Sequence, residues 1–144
     1  MTLVDANLLL YAYDRSSRFH DEARSWLDLQ LSGPALVGLP WSVLLAFLRI
    51  STNPRALRHP LAIEEAMEIV ASWLDLPCVV TPEAGSEHWA ILSRLLPQSQ
   101  ARGPLVMDAH LAALAIEHGA TLATTDRDFA RFEGLRLQDP IQPA

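Results

Sequence analysis

Apolar positions along the chain fall into brief continuous runs separated by longer stretches with helical spacing. Thr2 to Val4 is a short β-prone run ending at Asp5, and the apolar stretch Asn7 to Tyr13 predicts a buried first helix with Asn7 as its N-cap. In the next segment, His20 to Leu31, the residues Ala23, Trp26, Leu27 and Gln30 recur at helical spacing, and Gly33 with Pro34 closes the helix. Ala35 to Leu39 reads as a second strand, and Pro40 opens a mostly apolar helix through about Ile50, stopped by Asn53 and Pro54. A further helix is predicted from about Ala62 to Leu74. Its core face is expected at Ile63, Met67, Val70 and Leu74, and its solvent face at Glu64, Glu65 and Glu68. Cys78 to Thr81 reads as a third strand, Glu83 to Leu96 as a helix, and Pro97 to Pro104 as a breaker-rich loop. Met107 to His118 has the clearest helical stripe, at Met107, Leu111, Leu114 and Ala115, with Gly119 as its stop. Thr121 to Thr124 and Leu135 to Gln138 supply two last strands.

Short strands alternating with helices of about a dozen residues indicate βα units. The expected fold is therefore α/β, with a mostly parallel sheet of about five short strands covered on both faces as a three-layer α/β/α sandwich. No repeat or flexible linker divides residues 1–144, so one domain is expected. Sites in such sheets form beyond the carboxyl ends of the strands, which directs attention to Asp5 after the first strand and Asp126 after the fourth.

Composition narrows the chemistry. All 11 basic residues are arginine, which excludes every reaction that needs a lysine, including a Walker A site, a Schiff base and a receiver-domain site. The net charge of −6 argues against nucleic-acid binding by bulk positive potential, but leaves a metal-filled acidic site open. The one cysteine, Cys78, cannot form an internal disulfide, no uninterrupted apolar run is long enough to span a membrane, and Asp5 interrupts any signal-like start. A reducing, cytoplasmic setting without membrane attachment is expected.

Four aspartates stand where a parallel sheet builds sites: Asp5, Asp108 in the first turn of a helix, and Asp126 with Asp128 after the fourth strand. Each could serve singly as a helix cap or first-turn charge. Jointly they form a carboxylate cluster that is costly unless a cation neutralises it, and hard oxygen ligands suit Mg²⁺ or Mn²⁺. Such a site can orient and activate a water for in-line attack on a phosphodiester.

The blocks LVDANLLLYAYD (3–14), PWSVLLAFLRISTNPR (40–55) and MDAHLAALAIEHGATLATTDRDFARFEGLR (107–136), in that order and spacing, resemble the PIN-domain ribonucleases, and within them the VapC-type toxins of toxin–antitoxin pairs. The resemblance covers nearly the whole chain. It implies a PIN-like fold in which Asp5, Asp108 and Asp126 are the catalytic, metal-holding carboxylates and Asp128 a further member. It also implies that Asn7, Thr124 and Thr125 position those acids by hydrogen bonding. The implied activity is Mg²⁺- or Mn²⁺-dependent endoribonuclease cleavage, with tRNA the first substrate class and ribosomal RNA the next. The implied assembly is a homodimer silenced by a VapB-type antitoxin.

One position departs from that pattern. Many PIN domains carry a glutamate in the helix after strand two, in a block like LLEFLR, where this chain has LLAFLR with Ala46. Ser42 and Arg49 share the face of Ala46, leaving a water or a hydroxyl to stand in for the missing carboxylate. Either one ion suffices or Asp128 compensates; the alternative is a non-catalytic PIN module that only binds. Arg55 and Arg58, in the loop after Asn53-Pro54, are candidate RNA-phosphate contacts, against the simpler reading of solvated loop residues. The five histidines lack the spacing of a zinc site and read as surface or supporting residues, and Trp41 and Trp89 as core or interface residues.

Overall fold

A computed structural model describes residues 1–141; the expected domain end at 144 lies outside the described residues. Five strands form one sheet: β1 (Thr2–Val4), β2 (Val37–Gly38), β3 (Val79–Val80), β4 (Thr121–Ala123) and β5 (Arg136–Gln138). Their order is β3-β2-β1-β4-β5, and all four pairings are parallel. Between them run α1 (Ala6–Tyr13), α2 (His20–Ser32), α3 (Trp41–Ser51), α4 (Ile63–Leu74), α5 (His88–Gln98) and α6 (Leu105–Glu117), followed by a 3₁₀ turn at Arg127–Arg131.

The connections β1 to β2 to β3 step one way along the sheet, and the return to β4 and β5 steps the other. Right-handed crossovers then place α1 to α4 on one face and α5 and α6 on the opposite face. The packing agrees, since α1 meets α2 and α3, α3 meets α4, and α5 meets α6. The reversal of direction falls between β1 and β4, so the crevice outside the carboxyl ends of these two strands is the topological switch point. Leu3, Val4, Leu122 and Ala123 on the two strands are fully buried beneath that crevice.

Every predicted element is present, though four of the five strands are shorter than expected, α5 runs on through Pro97 to Gln98 into the predicted loop, and Met107 of the predicted α6 stripe is exposed. Three further features differ. The first helix begins at Ala6, with Asp5 rather than Asn7 as its N-cap. Asp5 is still extended (φ −72°, ψ 149°) and its amide donates to Ala123 O, so the chain turns from strand to helix on this residue.

In α4 the core face is Ala66, Val70 and Trp73, whereas Ile63, Met67 and Leu74 are exposed. Two apolar stripes overlap in the sequence of this helix, and the bulk of Trp73 decides between them. Its ring packs on Phe47 (centroids 4.9 Å apart) and on Tyr13 (5.6 Å), which buries more area than the thinner alternative. Replacing Met67 by Gln should therefore change the unfolding free energy by less than about 0.5 kcal/mol. A loss of 2 kcal/mol or more, roughly the cost of emptying a core site, in urea unfolding would contradict the exposed placement.

Thirdly, α5 starts at His88 rather than near Glu83. The preceding residues are held out of the helix by Glu117 of α6, whose carboxylate accepts from Gly85 N (2.8 Å) and Glu87 N (2.9 Å). A Cβ on Gly85 would stand 2.7 Å from Glu117 Oε2, so this contact needs glycine. Gly119, at φ 63°, ends α6 as expected. No helix among the described residues is long and apolar enough to cross a membrane.

Candidate active site

Asp5 leaves β1 at the switch point because its backbone continues the strand while its side chain caps α1. Oδ1 accepts from Ala6 N at 2.8 Å, and Oδ2 accepts the hydroxyl proton of Thr124 at 2.7 Å. Thr124, the first residue beyond β4, is buried, and its Oγ1 also accepts from Asp126 N (3.0 Å) and from Asn7 Nδ2 (3.4 Å). One hydroxyl thus ties the end of β1 to the end of β4. Asp126 in turn accepts from Asp128 N at 2.9 Å and starts the 3₁₀ turn, three residues beyond the strand it was expected to end.

Asp108 enters from the first turn of α6. It lines a hollow of about 420 Å³ together with Asp5, Ser42, Ala46 and Arg49. The face of α3 singled out by the missing glutamate is therefore a wall of this hollow, and the methyl of Ala46 occupies part of it. Arg49 supplies the one cationic side chain among the lining residues.

The electrostatics show how close the acids stand. Partial burial pushes the Asp108 carboxyl up to about 6, and the negative charges of Asp126, Asp5 and Asp128 add to the rise. Burial likewise raises Asp5, opposed by its bonds from Thr124 and Ala6 and assisted by Asp126. Carboxylates that raise one another's pKa are mutually repulsive until a cation or a proton intervenes.

All the donors converging here are hard oxygens, which suit a divalent ion such as Mg²⁺ or Mn²⁺. Asn7 Oδ1 and Ser42 Oγ are buried without a hydrogen-bond partner, and such atoms are expected to find one in a water or an ion. Among the described residues no three His, Cys, Asp or Glu side chains form a metal-binding group by themselves.

Several expected members lie elsewhere. Asp128 is exposed and turns toward Arg131, 3.6 Å away. Thr125 bonds none of the acids; it lines hollows on the β5 side, one of them shared with Asp126. Arg55 and Arg58 lie in the loop beyond the far end of α3 and do not line the Asp5–Asp108 hollow, because the helix carries the chain away from the sheet's carboxyl edge. Two histidines read as surface or supporting residues instead form a pair. His88 is buried, and its Nε2 lies 3.0 Å from Nδ1 of His110. Partial burial, and secondarily His88, lowers the His110 pKa. No spacing rule finds such a pair, since the two residues come from different helices. Trp41 and Trp89, read as core or interface, are both exposed.

The family model described as PIN domain matches residues 2–135 of the chain. Ribonuclease VapC37 of Mycobacterium tuberculosis is 45% identical over 140 residues, 97% of each chain. Ribonuclease VapC48 of the same species is 42% identical over 138 residues, 95% of each. Among solved structures, VapBC2 from Rickettsia felis, bound to a promoter DNA fragment, aligns with a TM-score of 0.69 at 18% identity, covering 95% of this chain and 96% of that one. VapC20 of Mycobacterium tuberculosis, a toxin that cleaves the sarcin–ricin loop, aligns with a TM-score of 0.65 at 19% identity, covering 94% and 99%. At these identities the structural matches speak for the fold alone.

Proposed function

The chain belongs to the PIN domain family, among its VapC ribonucleases, and from that premise we propose that it is the toxin of a toxin–antitoxin pair, a metal-dependent endoribonuclease. The observation that carries the reading is the convergence of Asp5 and Asp108 on one hollow at the switch point of the sheet. Asp5 and Asp108 hold a divalent ion, Mg²⁺ or Mn²⁺, with Asp126 completing the acidic pocket and Asp128 at its edge. When bound, that ion lowers the pKa of a water and neutralises charge building on the phosphodiester.

The chain's own groups do the rest. Thr124 holds Asp5 Oδ2, so one carboxylate oxygen keeps a fixed direction while Oδ1 is tied to the helix start. Asn7 steadies the Thr124 hydroxyl. Arg49, on the hollow's wall, pairs with a phosphate oxygen of the substrate through its planar fork, and its position in the hollow favours it for this over Arg55 and Arg58. Ser42 Oγ, unpartnered and on the face of Ala46, is placed to hold a water where other PIN domains have a carboxylate.

RNA is the substrate class, since the relatives are ribonucleases, with tRNA first and ribosomal RNA second. The partner is a VapB-type antitoxin, the toxin acts as a homodimer, and the setting is cytoplasmic. Purified protein stripped with EDTA should leave total cellular RNA intact, and added Mg²⁺ or Mn²⁺ should restore cutting at discrete positions. Ala46 supports a second reading, a binding module without catalysis. Calorimetry showing no Mn²⁺ binding, together with no growth arrest on expression, would favour that reading and reject the first.

A further inference from the structure

Next to the acidic hollow lies a second one, of about 220 Å³, and Ser42 lines both. Its other walls include Trp41 at the start of α3, Pro82 in the loop after β3, and His110 and Leu114 of α6. Trp41, at the start of α3, is 47% exposed. Nothing in the catalytic reading uses these residues.

The groups behind His110 bias what it presents. Glu117 accepts from two backbone amides, and its Oε1 lies 3.9 Å from Nδ1 of buried His88, an atom with no hydrogen-bond partner. Of the two neutral tautomers of His88, the one with its proton on Nδ1 faces that carboxylate favourably, which leaves Nε2 as the acceptor. His110 Nδ1 must then donate across the 3.0 Å contact. Its remaining nitrogen, Nε2, is left as an acceptor with no partner among the described residues. The hollow therefore offers an aromatic face and the His110 acceptor, with Ser42 and Glu83 also on its walls, beside the place where a phosphodiester would be cut.

We propose that this hollow receives the nucleobase flanking the scissile phosphate, stacked on Trp41 and read through a donor on its edge, such as an exocyclic amine, by His110 Nε2. The inference rests on the ribonuclease reading and adds a determinant of sequence preference to it. Stacking on an aromatic side chain is tolerant of base identity and supplies affinity, while the His110 acceptor supplies discrimination. His88 and Glu117 are positioning residues, since they act by setting the His110 tautomer.

The test is cleavage of a random-sequence oligoribonucleotide pool with Mn²⁺, sequencing the fragment ends and measuring kcat and KM on the best substrate. Trp41→Ala should raise KM roughly tenfold with a smaller change in kcat, and Trp41→Phe should recover most of it. His110→Leu should flatten the base preference at one position next to the cut, whereas His110→Gln, whose side-chain carbonyl can accept, should retain a preference there. Trp41 is exposed, so its variants keep the question answerable if a His110 variant melts. Unchanged KM and unchanged preference in variants of a wild type that cuts would overturn the base site alone, as would a Trp41→Ala effect confined to oligomeric state. A wild type that cuts no RNA would overturn the ribonuclease reading and this proposal with it.

Discussion

Asp108→Asn is expected to lower metal-dependent RNA cleavage by roughly 10³-fold while raising the melting temperature of the metal-free protein. The loss follows from removing a metal-holding oxygen whose charge contributes several kcal/mol to the transition state, and each 1.36 kcal/mol is about tenfold in rate. The gain in stability follows from the same charge. Asp108 is pushed up to about 6 from an ordinary 3.8 by burial and by Asp126, Asp5 and Asp128, so its ionised form is unfavourable in the folded chain when no cation is present. A folded-state value above the unfolded one means that the neutral acid stabilises the fold. That stabilisation is complete below about pH 4 and is lost as pH rises through about 6.

Asn mimics the neutral acid at every pH. In EDTA at pH 8 the variant should melt about 2–4 °C above wild type, corresponding to roughly 1 kcal/mol once solvent screening of a half-buried group is allowed for. Near pH 4 the two should converge. With Mn²⁺ the order should reverse, because only the wild type gains binding energy from the ion. Cleavage within tenfold of wild type would remove Asp108 from the metal site. A lower melting point for the variant in chelator at pH 8 would show that the carboxylates do not repel one another. Protons compete with the ion at Asp108, so cleavage should fall on acidification, at a pH that drops as the Mn²⁺ concentration rises.

The second large effect is expected from a residue that touches no metal. Thr124→Val keeps the shape of a buried side chain but deletes the hydroxyl that donates to Asp5 and accepts from Asp126 N and Asn7 Nδ2. Loss of such a supporting bond costs about 10–100-fold in metal affinity or activity. Leaving buried polar groups unpaired adds a destabilisation of about 1–3 kcal/mol. Because the Thr124 bond lowers the pKa of Asp5 against its burial, its removal lets that carboxyl rise further. The acid limb of the pH–activity profile should therefore move to higher pH, a readout that a packing defect would not produce. Thr124→Ser should restore the limb. A Val variant with an unmoved profile and near-normal Mn²⁺ affinity would show that Asp5 is held by other means.

The two predictions differ in how much of them the sequence made legible. Asp5, Asp108 and Asp126 were identifiable because they fall at strand ends and in a helix's first turn, the positions where a parallel sheet gathers its functional groups. Asn7 and Thr124 were identifiable through the resemblance, but not that Thr124 bridges two strands while Thr125 faces the other way. Adjacent residues leaving a strand diverge, and which one turns inward depends on the register of β4 against β1. Register is a pairing property, invisible in either strand alone.

The α4 helix gives the same lesson in packing. Its apolar residues admit two stripes that share Val70, and the periodicity cannot rank them. The choice was made by Phe47 of α3 and Tyr13 of α1, whose rings receive Trp73. The start of α5 was likewise set from outside, by Glu117 clamping the amides of Gly85 and Glu87. Helix periodicity ran through those residues regardless.

By itself the sequence determined the alternation of strands and helices, the parallel sheet that follows from it, the absence of lysine chemistry and the acids that converge, because each depends on local spacing or composition. The tertiary structure alone decided what those residues meet. It placed Ala46, Ser42 and Arg49 opposite Asp108, excluded Arg55 and Arg58 from the hollow, and joined His88 to His110 behind Trp41. The physical reason is common to all of these. Hydrogen bonds, charge coupling and shared cavities act over a few ångströms between residues far apart in the chain, and only the packed crossovers set those distances.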